Sequence, residues 1–295
     1  MGDTAVARLP DGRDLAWIEL GDPRGRVVFM FHGTPGSRRL LSFDEATISG
    51  SGVRLVAPDR PGYGESSYRR GRQLGDWVKD VVYLADYLTV PRFSVVGWSG
   101  GGPYALACAR FLPERVVAAG VVGGIGPIAV PGREEAMMGL NVMADRLARR
   151  SAHLAYPLFA FSSLAMRTWP ELGLRIGASQ LPEADIKVLA RPRVKAALVD
   201  DFRCASLTSP MAAAHEFFLF AHDWGFALSE IAVPVHIWHG TADRNVPFSH
   251  GKFQAESIPG ARLNECRGEG HLLIFDHLEE ILRTVAASGE SPDGS

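Results

Sequence analysis

The sequence predicts an α/β fold, a doubly wound, mostly parallel sheet with an inserted all-helical cap. Three observations carry this. Apolar, β-branched runs alternate with stretches of helical period from residue 26 to 122, and again from 233 to 287. Between these blocks, residues 127 to about 225 show helical spacing and no strand-like run. Finally, Val95-Val96 leads into Gly97-Trp98-Ser99-Gly100-Gly101, followed by the helix-forming stretch Tyr104–Arg110, which reads as strand, sharp turn and helix.

The elements follow in order. Thr4–Leu9 and Arg13–Glu19 flank Pro10-Asp11-Gly12, a turn signal, and form an antiparallel hairpin. Arg26–Phe31 is continuously apolar, as a parallel strand covered on both faces must be. It ends in His32-Gly33-Thr34-Pro35-Gly36-Ser37, with a helix expected from about Arg38. Val53–Ala57 is the next strand and runs into Asp59-Arg60-Pro61-Gly62-Tyr63-Gly64-Glu65-Ser66. Leu74–Leu88 places Val78, Val81, Val82, Leu84, Ala85 and Leu88 at helical spacing. Phe93–Trp98 and Val116–Val122 are strands. In the cap, Leu140, Met143 and Leu147 recur at helical spacing, and Ser209-Pro210 reads as an N-cap with proline at the first helical position. Alternation resumes with strand Val233–Trp238, helix Pro247–Ser257, strand Ala261–Cys266 and helix Asp276–Ala287. The expected organisation is a core of residues 1–126 and 229–287, a cap over 127–228, and a disordered Gly/Ser/Pro/Asp-rich tail over 288–295.

Composition narrows the function. With 46% hydrophobic and 22% charged residues, the chain of 295 suits one large globular enzyme core with an insertion. A formal net charge of -2 supplies no global basic field, so no nucleic-acid partner is expected. Cys108, Cys204 and Cys266 are few and dispersed, which fits neither a disulfide framework nor a metal cluster and favours a reducing, cytoplasmic setting. His153, His215, His222, His236, His250 and His277 lack metal-ligand spacing, and no metal or cofactor is expected. The first residues lack the basic start and apolar core of a secretory signal. Val116–Val130 is too short and glycine-broken to span a bilayer, so no integral membrane association is expected. Arg146, Arg149 and Arg150 read as a solvated helix face, with attraction of an acidic substrate or a lipid surface as the alternative. A monomer or homodimer is expected.

The chemistry centres on Ser99. A turn this sharp strains the serine backbone and demands small neighbours two residues away on either side, which Gly97 and Gly101 provide. A serine hydroxyl is a weak nucleophile and needs a histidine base oriented by a carboxylate. Two late loops offer the partners: His239-Gly240-Thr241-Ala242-Asp243 after one strand, and Gly268-Glu269-Gly270-His271 after the next. Loops at the carboxyl ends of parallel strands converge on one edge of the sheet. Taken alone, Asp243 suits a helix cap and His271 a helix start; together, in the order Ser, Asp, His, they suit a triad. An oxyanion hole needs two main-chain N–H donors. Gly100 supplies one; since Pro35 has none, Thr34 is the expected second.

These motifs, His32-Gly33-x-Pro35-Gly36, Asp59-Arg60-x-Gly62-x-Gly64-x-Ser66, Gly97-x-Ser99-x-Gly101, His239-Gly240-x-x-Asp243 and Gly270-His271, resemble those of α/β-hydrolase fold serine hydrolases, the esterase, lipase and peptidase-like superfamily with a helical cap. They span residues 30 to 285 outside the cap. The resemblance implies Ser99 as nucleophile, Asp243 as acid, His271 as base, and Thr34 and Gly100 as oxyanion donors. Related dehalogenases and epoxide hydrolases carry aspartate where Ser99 stands, which argues against both. Asp59, Arg60 and His32 are expected to organise loops rather than react.

The cap is rich in methionine and aromatic residues, which suggests a small to medium apolar ester or acyl substrate. Trp98, Met143, Phe159 and Phe217 are the expected pocket residues. The expected activity is that of a carboxylesterase working through an acyl-enzyme. Other readings of the same residues are a prolyl aminopeptidase-like enzyme, a lysophospholipase, a carbon–carbon bond hydrolase, a perhydrolase, or a hydrolase-like receptor with slow turnover.

Overall fold

The structure, a computed structural model, describes residues 3–42 and 44–288. Eight strands form one sheet: β1 (Ala5–Arg8), β2 (Asp14–Gly21), β3 (Arg26–Phe31), β4 (Val53–Pro58), β5 (Phe93–Trp98), β6 (Val116–Val122), β7 (Val235–Gly240) and β8 (Arg262–Cys266). Their order is β1-β2-β4-β3-β5-β6-β7-β8. The β1–β2 and β2–β4 pairs are antiparallel, and every other pair is parallel. Helices α1 (Glu45–Gly50), α2 (Asp76–Tyr87), α3 (Gly102–Phe111), α10 (Phe248–Ser257) and α11 (Ile274–Ala287) accompany this core.

The apolar runs of the parallel strands are explained by two-sided burial. Along β3, Val28 and Met30 join one apolar cluster with α11, while Phe29 and Phe31 join the opposite one with α2 and α3. β3 and β5 are neighbours in register, which brings the loops after Phe31 and Trp98 to the same sheet edge.

One helix begins later than expected. Residues 38–42 form turns, and α1 starts only at Glu45, where Asp44 accepts the Thr47 N–H. Buried carboxylates hold this segment away from helical geometry: the Ser37 N–H donates to Asp201 at 2.7 Å and the Arg38 N–H to Asp59 at 2.7 Å.

Between β6 and β7 lies the cap: α4 (Gly139–Arg150), α5 (Ala152–Thr168), α6 (Pro170–Ala178), α7 (Glu183–Leu189), α8 (Pro192–Ala205) and α9 (Pro210–Phe220). Its apolar cluster is built largely from alanines, namely Ala144, Ala148, Ala155, Ala205 and Ala212–Ala214, around Phe159 and the core residue Tyr63. Of the large residues at helical spacing on α4, Leu147 packs against this cluster, whereas Leu140 and Met143 do not. Leu140 and Met143 are 41% and 45% exposed, while Ala144 and Ala148 are buried. Small side chains let helix backbones approach closely, and the alanine face of α4 wins the contact.

Among the described residues, no helix is long and apolar enough to cross a membrane. The tail expected to be disordered lies outside the described residues, apart from Ser288, whose N–H donates to the Thr284 carbonyl at 3.2 Å.

Candidate active site

Ser99 follows β5 directly and has φ +55°, a left-handed backbone that a residue with a side chain rarely adopts. The glycines around it are steric necessities. A methyl at Gly97 would overlap the Gly101 carbonyl, and one at Gly101 would overlap the carbonyls of Phe31 and His32. A short 3-10 turn, Ser99–Gly101, then feeds α3, whose first turn holds Pro103. The loop after β3 closes against this turn: a methyl at Gly100 would overlap the Thr34 side chain, and one at Gly33 would lie 3.5 Å from Ser99 Cβ. Ser99, Gly100 and Thr34 are thus brought together.

Asp243 and His271 meet as well. Asp243 Oδ2 lies 2.7 Å from His271 Nδ1. The other oxygen, Oδ1, accepts the N–H groups of Asn245 and Val246 at 2.8 and 2.9 Å. Asp243 is therefore not a helix cap: α10 starts at Phe248 with Pro247 before it and no side-chain cap, and Oδ1 instead ties down the loop that leads to it. Gly123, at φ +52°, leaves room for the pair, since a methyl there would stand 3.3 Å from both Asp243 Oδ2 and His271 Nδ1. Both side chains are buried. Burial by itself would lower the pKa of His271, but the adjacent Asp243 carboxylate outweighs it and raises that pKa above the usual histidine value. Trp98 packs its ring 5.3 Å from the imidazole and donates Nε1–H to the His271 carbonyl at 3.1 Å.

Three cap carboxylates, none of them singled out by the sequence, hold these loops. Asp185 of α7 accepts the N–H groups of His271 and Leu272. Asp201 of α8 accepts both the N–H and the hydroxyl of Ser37. Glu216 of α9, fully buried, accepts from Thr34 Oγ1 at 2.5 Å, Arg60 Nε at 2.8 Å, Arg72 at 3.1 Å and Tyr63 Oη at 3.0 Å. Arg60 extends this network by donating to the His32 and Gly33 carbonyls, while His32 Nε2 accepts the Arg60 N–H. His32 and Arg60 therefore organise the loop after β3, as their sequence context suggests. Asp59 pairs with Arg38 in the same buried region. The only sequence signal for the cap residues would have been charges on otherwise apolar helix faces.

A cavity of about 140 Å³ adjoins Ser99 and His271. Trp98 and Phe217 line it, with Ile125, Met137, Phe220 and Val246. Phe159 stands behind, its ring 4.9 Å from that of Phe217. Met143 does not line the cavity: it points outward from α4, for the packing reason given above. The wall also has polar members, Arg133, Asn141, Asp145, Asn245 and His250. Most are tied to one another or to the main chain. Arg133 donates to Asp145 and to the Gly126, Pro127 and Phe220 carbonyls, joining both ends of the cap. His250 Nδ1 accepts the Gly126 N–H and its Nε2 donates to the Arg133 carbonyl, so its ring is satisfied and neutral, with a pKa lowered to about 4 chiefly by burial.

Comparison with known proteins agrees with this architecture. Residues 27–284 match the Alpha/beta hydrolase family. The bifunctional esterase/perhydrolase DCH of Acinetobacter calcoaceticus is 26% identical over 284 residues, covering 94% of this chain and 96% of that protein. The dihydrolipoyllysine-residue acetyltransferase component of the acetoin cleaving system of Pseudomonas putida is 32% identical over 117 residues; this covers 39% of this chain and 31% of that protein. The solved structure of an esterase from Exiguobacterium antarcticum superposes with a TM-score of 0.69 at 20% identity, covering 99% of this chain and 100% of that one.

Proposed function

Because this chain belongs to the alpha/beta hydrolase family, we propose that it is a serine carboxylesterase that cleaves small apolar esters through an acyl-enzyme. The observation that carries this reading is the 2.7 Å contact of Asp243 with His271, at the same cavity as the strained Ser99.

In this mechanism Ser99 Oγ bonds to the ester carbonyl carbon while His271 takes the hydroxyl proton. Asp243 fixes the imidazole orientation and stabilises the imidazolium. The oxyanion is held by the Gly100 and Thr34 N–H groups, each worth about 10²–10³ in rate. Collapse breaks the carbonyl–alkoxy bond, and the proton on His271 leaves with the alcohol. Water then gives its proton to His271, adds to the acyl carbon and releases the acid, and the proton returns to Ser99.

A cavity of about 140 Å³ favours a short acyl group over a long one. An aminopeptidase reading needs a free carboxylate to hold an amine. Among the described cavity residues the carboxylate is Asp145, which already pairs with Arg133 and Arg149. A second reading, perhydrolysis, in which hydrogen peroxide replaces water as acyl acceptor, is favoured by the esterase/perhydrolase relative.

The test is hydrolysis of p-nitrophenyl esters of increasing acyl length by the wild type and Ser99→Ala. Turnover that is fastest on short chains and lost in the variant supports the esterase. Activity that survives Ser99→Ala overturns the mechanism. Peracid formation from acetate and hydrogen peroxide separates the second reading.

A further inference from the structure

Part of the cap's inner face is built from alanines, while several of its largest apolar side chains lie outside. On α5 the buried residues are Ala155, Phe159 and Met166, whereas Leu154, Phe161 and Leu164 are 51%, 68% and 56% exposed. With Pro157 and Thr168 these occupy positions i, i+3, i+7, i+10 and i+14, a single outward stripe along the whole helix. Trp169, at the end of the stripe, is 64% exposed. Exposed apolar residues scattered singly need no explanation, but a continuous stripe marks an interaction surface.

Its charge surroundings identify the partner. From residue 146 to 170 the chain holds four arginines and no aspartate or glutamate. Arg146 and Arg149 are neutralised by Glu134 and Asp145. Arg150 and Arg167, near the two ends of α5, are exposed and have no ion-pair partner among the described residues. An apolar helix face flanked by unpaired arginines and ending in an aromatic is the composition of a helix that lies in a membrane interface. A second copy of the chain fits less well: two-fold pairing of like surfaces sets arginines against arginines with no carboxylate on the stripe to offset them.

We propose that the outer face of α5 docks the protein on an anionic lipid surface, peripherally, with Leu154, Phe161, Leu164 and Trp169 entering the acyl boundary and Arg150 and Arg167 facing the headgroups. The inner face of the same helix packs Phe159 on Phe217, a cavity residue, so docking places the substrate cavity close to the lipid. The surface lies outside the catalytic residues, and its test is binding rather than turnover.

The experiment is flotation of the full chain with vesicles of phosphatidylcholine alone and of phosphatidylcholine with phosphatidylglycerol. Binding is expected to the anionic vesicles and to fall with added salt. The double variant Phe161→Glu, Leu164→Glu is expected to bind at least about tenfold more weakly, since it removes buried apolar area and adds negative charge. Arg150→Ser and Arg167→Ser should each cost about fivefold. All these sites are exposed, so turnover of a soluble ester serves as the folding control and is expected to stay unchanged. Absence of binding to anionic vesicles, or equal binding by the variants, overturns the proposal. So does sedimentation showing a dimer that Phe161→Glu dissociates, because the face would then belong to a second copy.

Discussion

Asp185, carried by the cap helix α7, accepts the main-chain N–H of His271 at 3.0 Å and that of Leu272 at 2.7 Å. Gly270 makes this approach possible, since any β-carbon there would collide with the Asp185 carboxylate. Asp201 grips Ser37 at the end of the loop after β3, and Glu216 grips Thr34 within that loop and Arg60 in the loop after β4. The cap is therefore more than a cover over the cavity. Through three buried carboxylates it sets the positions of the loops on which Thr34 and His271 sit.

The first prediction concerns that hold on His271. Asp185→Ala leaves two buried N–H groups without an acceptor and frees the start of the 3-10 turn His271–Leu273. A displacement of the proposed base by about 1 Å costs about 10²-fold in rate, so kcat should fall by that order while KM changes little. Asp185→Asn keeps one acceptor oxygen and should restore part of the loss. Steady-state kinetics of the two variants on a short p-nitrophenyl ester check this; equal losses in both would show that the carboxylate does not act through these hydrogen bonds.

The second concerns pH. Burial works to lower the His271 pKa, but Asp243 outweighs it, and the folded value lies above the usual 6.5. A histidine in the proposed role of base is active only when neutral, so kcat/KM should decline as pH falls through this raised pKa, with the acid limb above that of a free imidazole. Asp243→Asn removes the raising charge. It should shift the limb toward lower pH and reduce kcat by about 10⁴. A pH–rate profile of the variant with its limb unmoved would break the assigned link between the two residues.

Much of the candidate site was legible because the residues proposed for its chemistry stand in local sequence motifs. The turn at Ser99 forbids β-carbons at Gly97 and Gly101, and Asp243 and His271 follow directly from strands whose apolar runs are plain. The helix start at Glu45 was not legible, because Ser37 and Arg38 are held by Asp201 and Asp59, partners 164 and 21 residues away in the chain. Helical spacing places Met143 on a helix and its chemistry suits a pocket, yet neither says which face meets the neighbouring helix when the opposite face is alanine. Asp185, Asp201 and Glu216 carry no motif at all. Their meaning arises only where the cap meets the core.

The third prediction follows from Glu216. Burial alone would raise its pKa, but Arg60, Arg72 and Thr34 outweigh it and hold the carboxyl well below the usual carboxylate range. Glu216→Gln leaves Arg60 and Arg72 buried without their counter-charge, a change that costs about 3–5 kcal/mol. A depressed folded pKa means that this stabilisation is present above the unfolded value of 4.5 and is lost as pH falls toward the folded one. The stability gap between wild type and Glu216→Gln, measured by urea unfolding, should therefore be full at neutral pH and narrow in acid below 4.5.

The fourth concerns Asp201, whose environment has the opposite effect. It is fully buried and lacks a neighbouring cation strong enough to offset burial; its pKa is pushed up to about 8, although the hydrogen bonds from Ser37 work against the rise. Oδ1 takes both Ser37 hydrogen bonds, whereas Oδ2 has no hydrogen-bond partner to stabilise a charge. Between the unfolded value of 3.8 and about 8 the folded protein binds one proton more than the unfolded chain, so stability falls as pH rises across that window. This residue contributes a slope of up to about 1.4 kcal/mol per pH unit. An amide matches the neutral acid in shape and cannot titrate. Asp201→Asn should fold normally in mild acid and lose less stability than wild type between about pH 5 and about pH 8. Thermal unfolding across that range checks it: parallel Tm profiles for the two proteins would mean that Asp201 is ionised in the folded state throughout.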